Sequence, residues 1–178
     1  FGLYGNLAHS KTVGVPFQLI SHTAYGPKNE VGRTWNFAVK SKEELVYSID
    51  LADIKNETFC FSVHGPNGFY RAFKGKVKSA FPSLKANSSH ANIGFQLELK
   101  NSPVNLKVQD PSYGHAAKTL AANKSKKESW KLDKSNGWYD FEITSDQDPD
   151  LFIKYAGHIE NGKPSITDPL MGGENILA

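Results

Sequence analysis

At 178 residues, 39% apolar and 22% charged, the chain has the make-up of a folded globular protein rather than a disordered or membrane-embedded one. Its net charge of +3 is small and dispersed, unlike the clustered basic footprint of a nucleic-acid binder, so no nucleic-acid partner is expected. The single cysteine, Cys60, excludes an internal disulfide, and no apolar run reaches the roughly 20 residues that span a bilayer.

The chain opens at Phe1 in strand-like sequence and without an initiator Met, as expected of a fragment of a longer precursor or a processed product. After this opening segment, "VPFQLISHTAYG" (15–26) leads to "FAVKSKEELVYSIDL" (37–51). Forcing the latter into a helix fails, because Leu45, Tyr47 and Ile49 alternate with Val46, Ser48 and Asp50. "ETFCFSVHGPNGFYRAFKGKV" (57–77) is a hairpin: Phe59, Phe61 and Val63 share one face before the turn, and Phe69, Phe73 and Val77 share one after it. Its turn, Gly65-Pro66-Asn67-Gly68, has Pro preset for the second turn position and Asn and Gly tolerant of positive φ. "SAFPSLKANSSHAN" (79–92), rich in Ser and Asn, has the composition of a connecting loop.

Past that loop the order of elements starts again. "IGFQLELKNS" (93–102) resembles the opening segment, and "VNLKVQDPSYG" (104–114) matches 15–26 with Tyr113 on Tyr25. "LAANKSKKESWKLDK" (120–134) matches 37–51. "NGWYDFEITSDQDPDLFIKYAGHIENG" (136–162) repeats the hairpin, with Tyr139, Phe141 and Ile143 on one face, then Leu151, Tyr155 and Ile159, and with Gly157 on Gly75. The spacing between matched positions shortens along the chain, as loop-length differences produce. The expected fold is therefore all-β: two tandem small antiparallel β-sandwich domains from an internal duplication. The expected domains are 1–80, a linker at 81–92, a second domain at 93–163 and a C-terminal tail at 164–178.

Among residues outside the apolar pattern, Arg71 falls between Phe69 and Phe73 on the core face, where the second copy has Ile153. Burying an unpaired guanidinium is costly. The expectation is a salt bridge or a β-bulge, with contact to a ligand or neighbouring domain as the remaining outcome. His64, Asn67 and Tyr70 flank the same turn, so His64, Asn67, Tyr70 and Arg71 form the candidate ligand or domain contact. Cys60, mid-strand between Phe59 and Phe61, is expected to be a half-buried structural thiol. Asp146, Asp148 and Asp150 alternate like calcium ligands but lack the Gly and distal Glu of such a loop, so an acidic solvated turn is expected.

Lysines at 40, 42, 124, 126 and 127 suit edge-strand protection, with attraction to anionic headgroups as the functional alternative. The six histidines (9, 22, 64, 90, 115 and 158) show no HxH or HExxH spacing. No GxSxG elbow, P-loop or dinucleotide fingerprint occurs, and nothing in the spacing brings Ser, His and Asp together. No catalytic residue, metal or cofactor is expected. Exposed aromatics at Trp35, Tyr70, Trp130 or Trp138 would instead favour a free-standing lipid- or carbohydrate-binding module.

Taken together, "SVHGPNGFYRAFKGKV" (62–77) and "GWYDFEITSDQDPDLFIKYAGHIENGKPSITDP" (137–169) resemble the tandem C-terminal domains of bacterial phosphocholine-preferring phospholipases C. The resemblance covers nearly the whole chain. It implies a non-catalytic region of a secreted or periplasmic cell-envelope hydrolase, with the upstream catalytic domain of the same polypeptide as partner and a phospholipid surface nearby. In that family an arginine pair follows the hairpin Phe. Here Arg71 is followed by Ala72, and the second copy has Ile153 and Lys154.

Overall fold

The structure, a computed structural model, describes residues 2–4, 14–40, 43–89 and 93–170. His9, His90, Lys42 and the end of the tail lie outside these residues. The first repeat supplies β1 (Gly2–Tyr4), β2 (Val15–Ser21), β3 (Thr34–Val39), β4 (Glu44–Val46), β5 (Thr58–His64) and β6 (Tyr70–Lys76). β7 (Ser83–Ser89) follows. The second repeat supplies β8 (Gly94–Asn101), β9 (Leu106–Gln109), β10 (Lys118–Leu120), β11 (Lys126–Lys131), β12 (Trp138–Thr144) and β13 (Phe152–His158). Among the described residues, helix is confined to two 3-10 turns, Leu51–Asp53 and Asp133–Ser135. No helix among these residues is long and apolar enough to cross a membrane.

Eight strands form one antiparallel sheet in the order β10-β9-β12-β13-β6-β5-β2-β3, so both repeats contribute four strands to it. The second layer is split: β11-β8-β7 lies over the second repeat's half, and β1-β4 belongs to the first. The alternation expected from sequence fixes the faces. Phe61 and Val63 enter one apolar core with Val15, Phe17, Leu19 and Val39. Tyr139, Phe141 and Ile143 enter a second with Phe95, Leu97, Leu99 and Trp130. Within the second core Phe95 stacks on Phe141 at 5.0 Å and on Tyr139 at 4.6 Å, so aromatic packing joins the two layers.

The segment expected as a linker at 81–92 contains a strand: β7 occupies most of it and pairs along its length with β8. Ser and Asn signalled a turn. Yet Leu84 and Ala86 alternate with polar neighbours and pack on the second core, and that half-buried alternation prevails over turn propensity.

The repeats meet where β6 pairs with β13. These are equivalent strands running antiparallel, with Ala72 opposite its own counterpart Lys154. Arg71 lies opposite Tyr155, the counterpart of Phe73, and Phe73 lies opposite Ile153, the counterpart of Arg71. The join is thus isologous, as in a two-fold dimer, but within one chain.

Candidate functional site: the junction between the repeats

Arg71 lies in a row of core-facing residues that crosses the five central strands of the sheet, Leu19–Val63–Arg71–Tyr155–Phe141. The guanidinium therefore stands where the two apolar cores abut. Its Nη1 donates to the carbonyls of Tyr70 (2.8 Å) and Ala156 (2.7 Å), and its Nη2 donates to the Tyr139 hydroxyl (2.8 Å). Its carbon lies 4.3 Å from the Phe69 ring centre, 5.1 Å from Tyr155 and 5.5 Å from Tyr139. The expected carboxylate partner and bulge are both absent here: the ladder runs through Arg71 unbroken, and one carbonyl and one ring of its own hairpin, with one carbonyl, one hydroxyl and two rings of the neighbouring repeat, stabilise the charge. Ile153, the counterpart position, is 1% exposed and purely apolar, so one cation occupies a junction whose symmetry offers two places. Burial pushes the Tyr155 hydroxyl up to about 12, and the nearby Arg71 charge opposes part of that rise.

The turns of both hairpins reach across the junction. Asn67 Nδ2 donates to a Glu160 carboxylate oxygen in the second repeat. Gly68, at φ +70°, lies so close to Trp138 that a Cβ there would come within 2.8 Å of the indole. From the other side, Asp148 and Asp150 approach Lys76 at 3.5 and 3.3 Å, which accounts for two of the three alternating aspartates. The third, Asp146, pairs with Lys107.

On the opposite face of the sheet, His64 and Tyr70 form a cross-strand pair with ring centres 4.8 Å apart. Beneath them the fully buried Ser62 hydroxyl lies 2.7 Å from His22 Nε2 and 3.0 Å from His64 Nε2. Burial and the facing His22 lower the His64 pKa. Across the junction, Lys154 sits 3.0 Å from Asp140 and 2.9 Å from Glu142. Burial alone would lower its pKa, but the two carboxylates prevail and hold it above the ordinary value. Of the four candidate residues, Asn67 and Arg71 therefore contact the second repeat directly, whereas His64 and Tyr70 lie on the opposite face of the sheet.

A second constellation was not legible in the sequence. Asp110 accepts from the backbone of Ser112 and Tyr113 and holds His115 Nδ1, and His115 Nε2 lies 3.3 Å from Ser135 Oγ. This brings an Asp, a His and a Ser together, contrary to the expectation. Ser135 is nevertheless 4% exposed, and its hydroxyl donates to the carbonyls of Trp138 (2.6 Å) and Leu132 (3.1 Å). The Ser135 hydroxyl, with its proton directed at main-chain carbonyls, ties the turn to β12. The only advance signal was Asp110-Pro111-Ser112, a turn in which the carboxylate caps two amides.

No group of three or more His, Cys, Asp or Glu side chains among the described residues has metal-holding geometry. Cys60 is a free, half-buried thiol whose pKa burial raises. The aromatic platform expected of a free-standing binding module is not formed by its candidates: Trp130 lies in the second core and Trp138 is buried under Gly68, with Nε1 donating to the Ile166 carbonyl. Trp35 packs on the first core, and Tyr70 is half-buried.

The family model described as "Bacterial phospholipase C, C-terminal domain" matches residues 2–76 and again residues 82–158. A hemolytic phospholipase C of Pseudomonas aeruginosa is 37% identical over 153 residues, covering 80% of this chain and 20% of that protein. A non-hemolytic phospholipase C of Burkholderia pseudomallei is 30% identical over 176 residues, covering 92% of this chain and 24% of that protein. The chain thus spans about a fifth to a quarter of the length of the curated relatives it matches.

Proposed function

The chain belongs to the bacterial phospholipase C C-terminal domain family, of which it carries two copies, and from this we propose that the pair is a non-catalytic accessory region of a longer secreted phospholipase C. In this reading the rest of the polypeptide hydrolyses phosphocholine-type phospholipids. The paired repeats support that catalytic part as a rigid unit and position it at a lipid surface.

The observation that carries the non-catalytic reading is the state of the two serines beside histidines. Ser62 is 0% and Ser135 4% exposed, and each hydroxyl is already engaged by protein groups. The guanidinium in the apolar row at the junction, Arg71, is likewise engaged by two carbonyls, the Tyr139 hydroxyl and the surrounding rings.

The test is turnover of p-nitrophenylphosphocholine by the purified 178-residue chain beside its Ser135→Ala and Ser62→Ala variants. The expected result is no hydrolysis above buffer for any of the three. Hydrolysis that follows the protein through purification and disappears in either variant would overturn the reading. Fractionation of the source cells is expected to place the protein outside the cytoplasm.

A further inference from the structure

Among the described residues the two copies differ by one strand. β8 is paired on both edges, with β11 on one side and β7 on the other. Its counterpart β1 pairs with β4, the counterpart of β11, with Leu3 opposite Leu45. Among the described residues nothing pairs with the other edge of β1. The missing element is the counterpart of β7, which lies directly ahead of β8 in the chain and returns into it as an antiparallel hairpin.

Burial among the described residues points the same way. The second core holds fifteen buried residues, and Leu84 and Ala86 of β7 close its flank. Among the described side chains the first core holds eight, with Leu45, Tyr47 and Ile49 only partly covered. Large apolar side chains exposed in the first repeat include Val46, 67% exposed and directly opposite Gly2, and Leu51, 48% exposed, just beyond β4. Among the described residues no strand of the second repeat carries one. An unpaired strand edge beside exposed apolar side chains is a template for strand addition.

We propose that the free edge of β1 receives a seventh antiparallel strand from polypeptide immediately N-terminal to these 178 residues. The strand is about as long as β7, with apolar side chains at alternate positions in the manner of Leu84 and Ala86. This rests on the reading of the chain as part of a longer protein, whose remainder it would join through the sheet rather than through a loose tether. The repeat relation favours this donor over a second copy of the chain, because β7 is local to the strand it covers.

The test is residue-resolved amide hydrogen exchange on two proteins: the 178-residue chain, and the same chain extended by about thirty of its natural upstream residues. In the extended protein the β1 amides that point away from β4 are expected to exchange about tenfold or more slowly, at concentrations where both proteins are monomeric by sedimentation. Equal exchange in the two proteins would overturn the proposal. Protection that rises with concentration in the shorter chain would also overturn it, in favour of a second copy.

A third protein separates edge competence from the natural donor. It carries a copy of residues 78–93 fused ahead of Phe1 and is expected to show the same protection. Intact mass of the native protein tests the underlying reading independently. A mature species near the 19.7 kDa of this sequence would remove both the accessory role and the donor. A longer mature chain with unprotected β1 amides would remove the seventh strand alone.

Discussion

Arg71 shows how one side chain can be misplaced by rules that are individually sound. An arginine in an apolar row is expected to find a carboxylate or to be turned outward by a bulge, and it does neither. Its hydrogen bonds to Ala156 and Tyr139, and two of the three rings around it, Tyr139 and Tyr155, come from strands that the sequence gives no reason to place beside β6. Arg71→Ala is therefore expected to cost roughly 2–4 kcal/mol, because it orphans the Tyr139 hydroxyl and removes the stacked cation. Arg71→Lys should recover only part of this, since a point charge cannot serve both bonds and rings. Urea unfolding midpoints of the three proteins would check the order. At the turn, Gly68→Ala combines a φ of +70° with a Cβ contact of 2.8 Å to Trp138. The expected outcome is a loss above about 1 kcal/mol together with a changed near-ultraviolet signal from Trp138.

At the scale of elements, period-two alternation located most strands and assigned their core faces. It failed for β7, where Ser and Asn concealed a strand held by β8, and it contained no information on which edges would meet. The two cores should respond unequally to truncation. Phe141→Ala, in the stacked centre of the second core at 0% exposure, is expected to cost about 3–5 kcal/mol. Phe59→Ala, at a partly buried position of the first, should cost clearly less. Thermal or denaturant midpoints of the two variants compare them directly.

His64, beside the buried Ser62 hydroxyl, adds a dependence on pH. His64 is held below its ordinary pKa, so the unfolded chain binds its proton more readily, and stability rises with pH through this region. The contribution is complete above about 6.5, the unfolded value, and is lost as pH falls from there toward the lowered folded value. In His64→Gln the fall in unfolding midpoint below about pH 6.5 should be shallower than in the parent protein.

For the molecule as a whole, the isologous pairing of β6 with β13 turns two repeats into one sheet, and this accounts for the duplicated hairpin: each copy is the other's edge partner. A shared ladder, the bridging Arg71 and two reciprocal turn contacts predict a single cooperative unfolding transition. Calorimetry is expected to give matching van't Hoff and calorimetric enthalpies. Two separated transitions would show that the repeats are energetically independent.

The sequence by itself determined the all-β class, the duplication, the faces of the hairpin strands and the family, because alternation and turn chemistry are local properties written along the chain. Tertiary structure alone decided that the repeats share one sheet, that Arg71 is stabilised by the Ala156 carbonyl and the Tyr139 and Tyr155 rings of the other repeat, and that Asp110, His115 and Ser135 converge on a closed site. Those outcomes depend on which strand edges meet. Edge pairing joins residues far apart in the sequence through backbone groups that every residue carries, so side-chain pattern leaves it open.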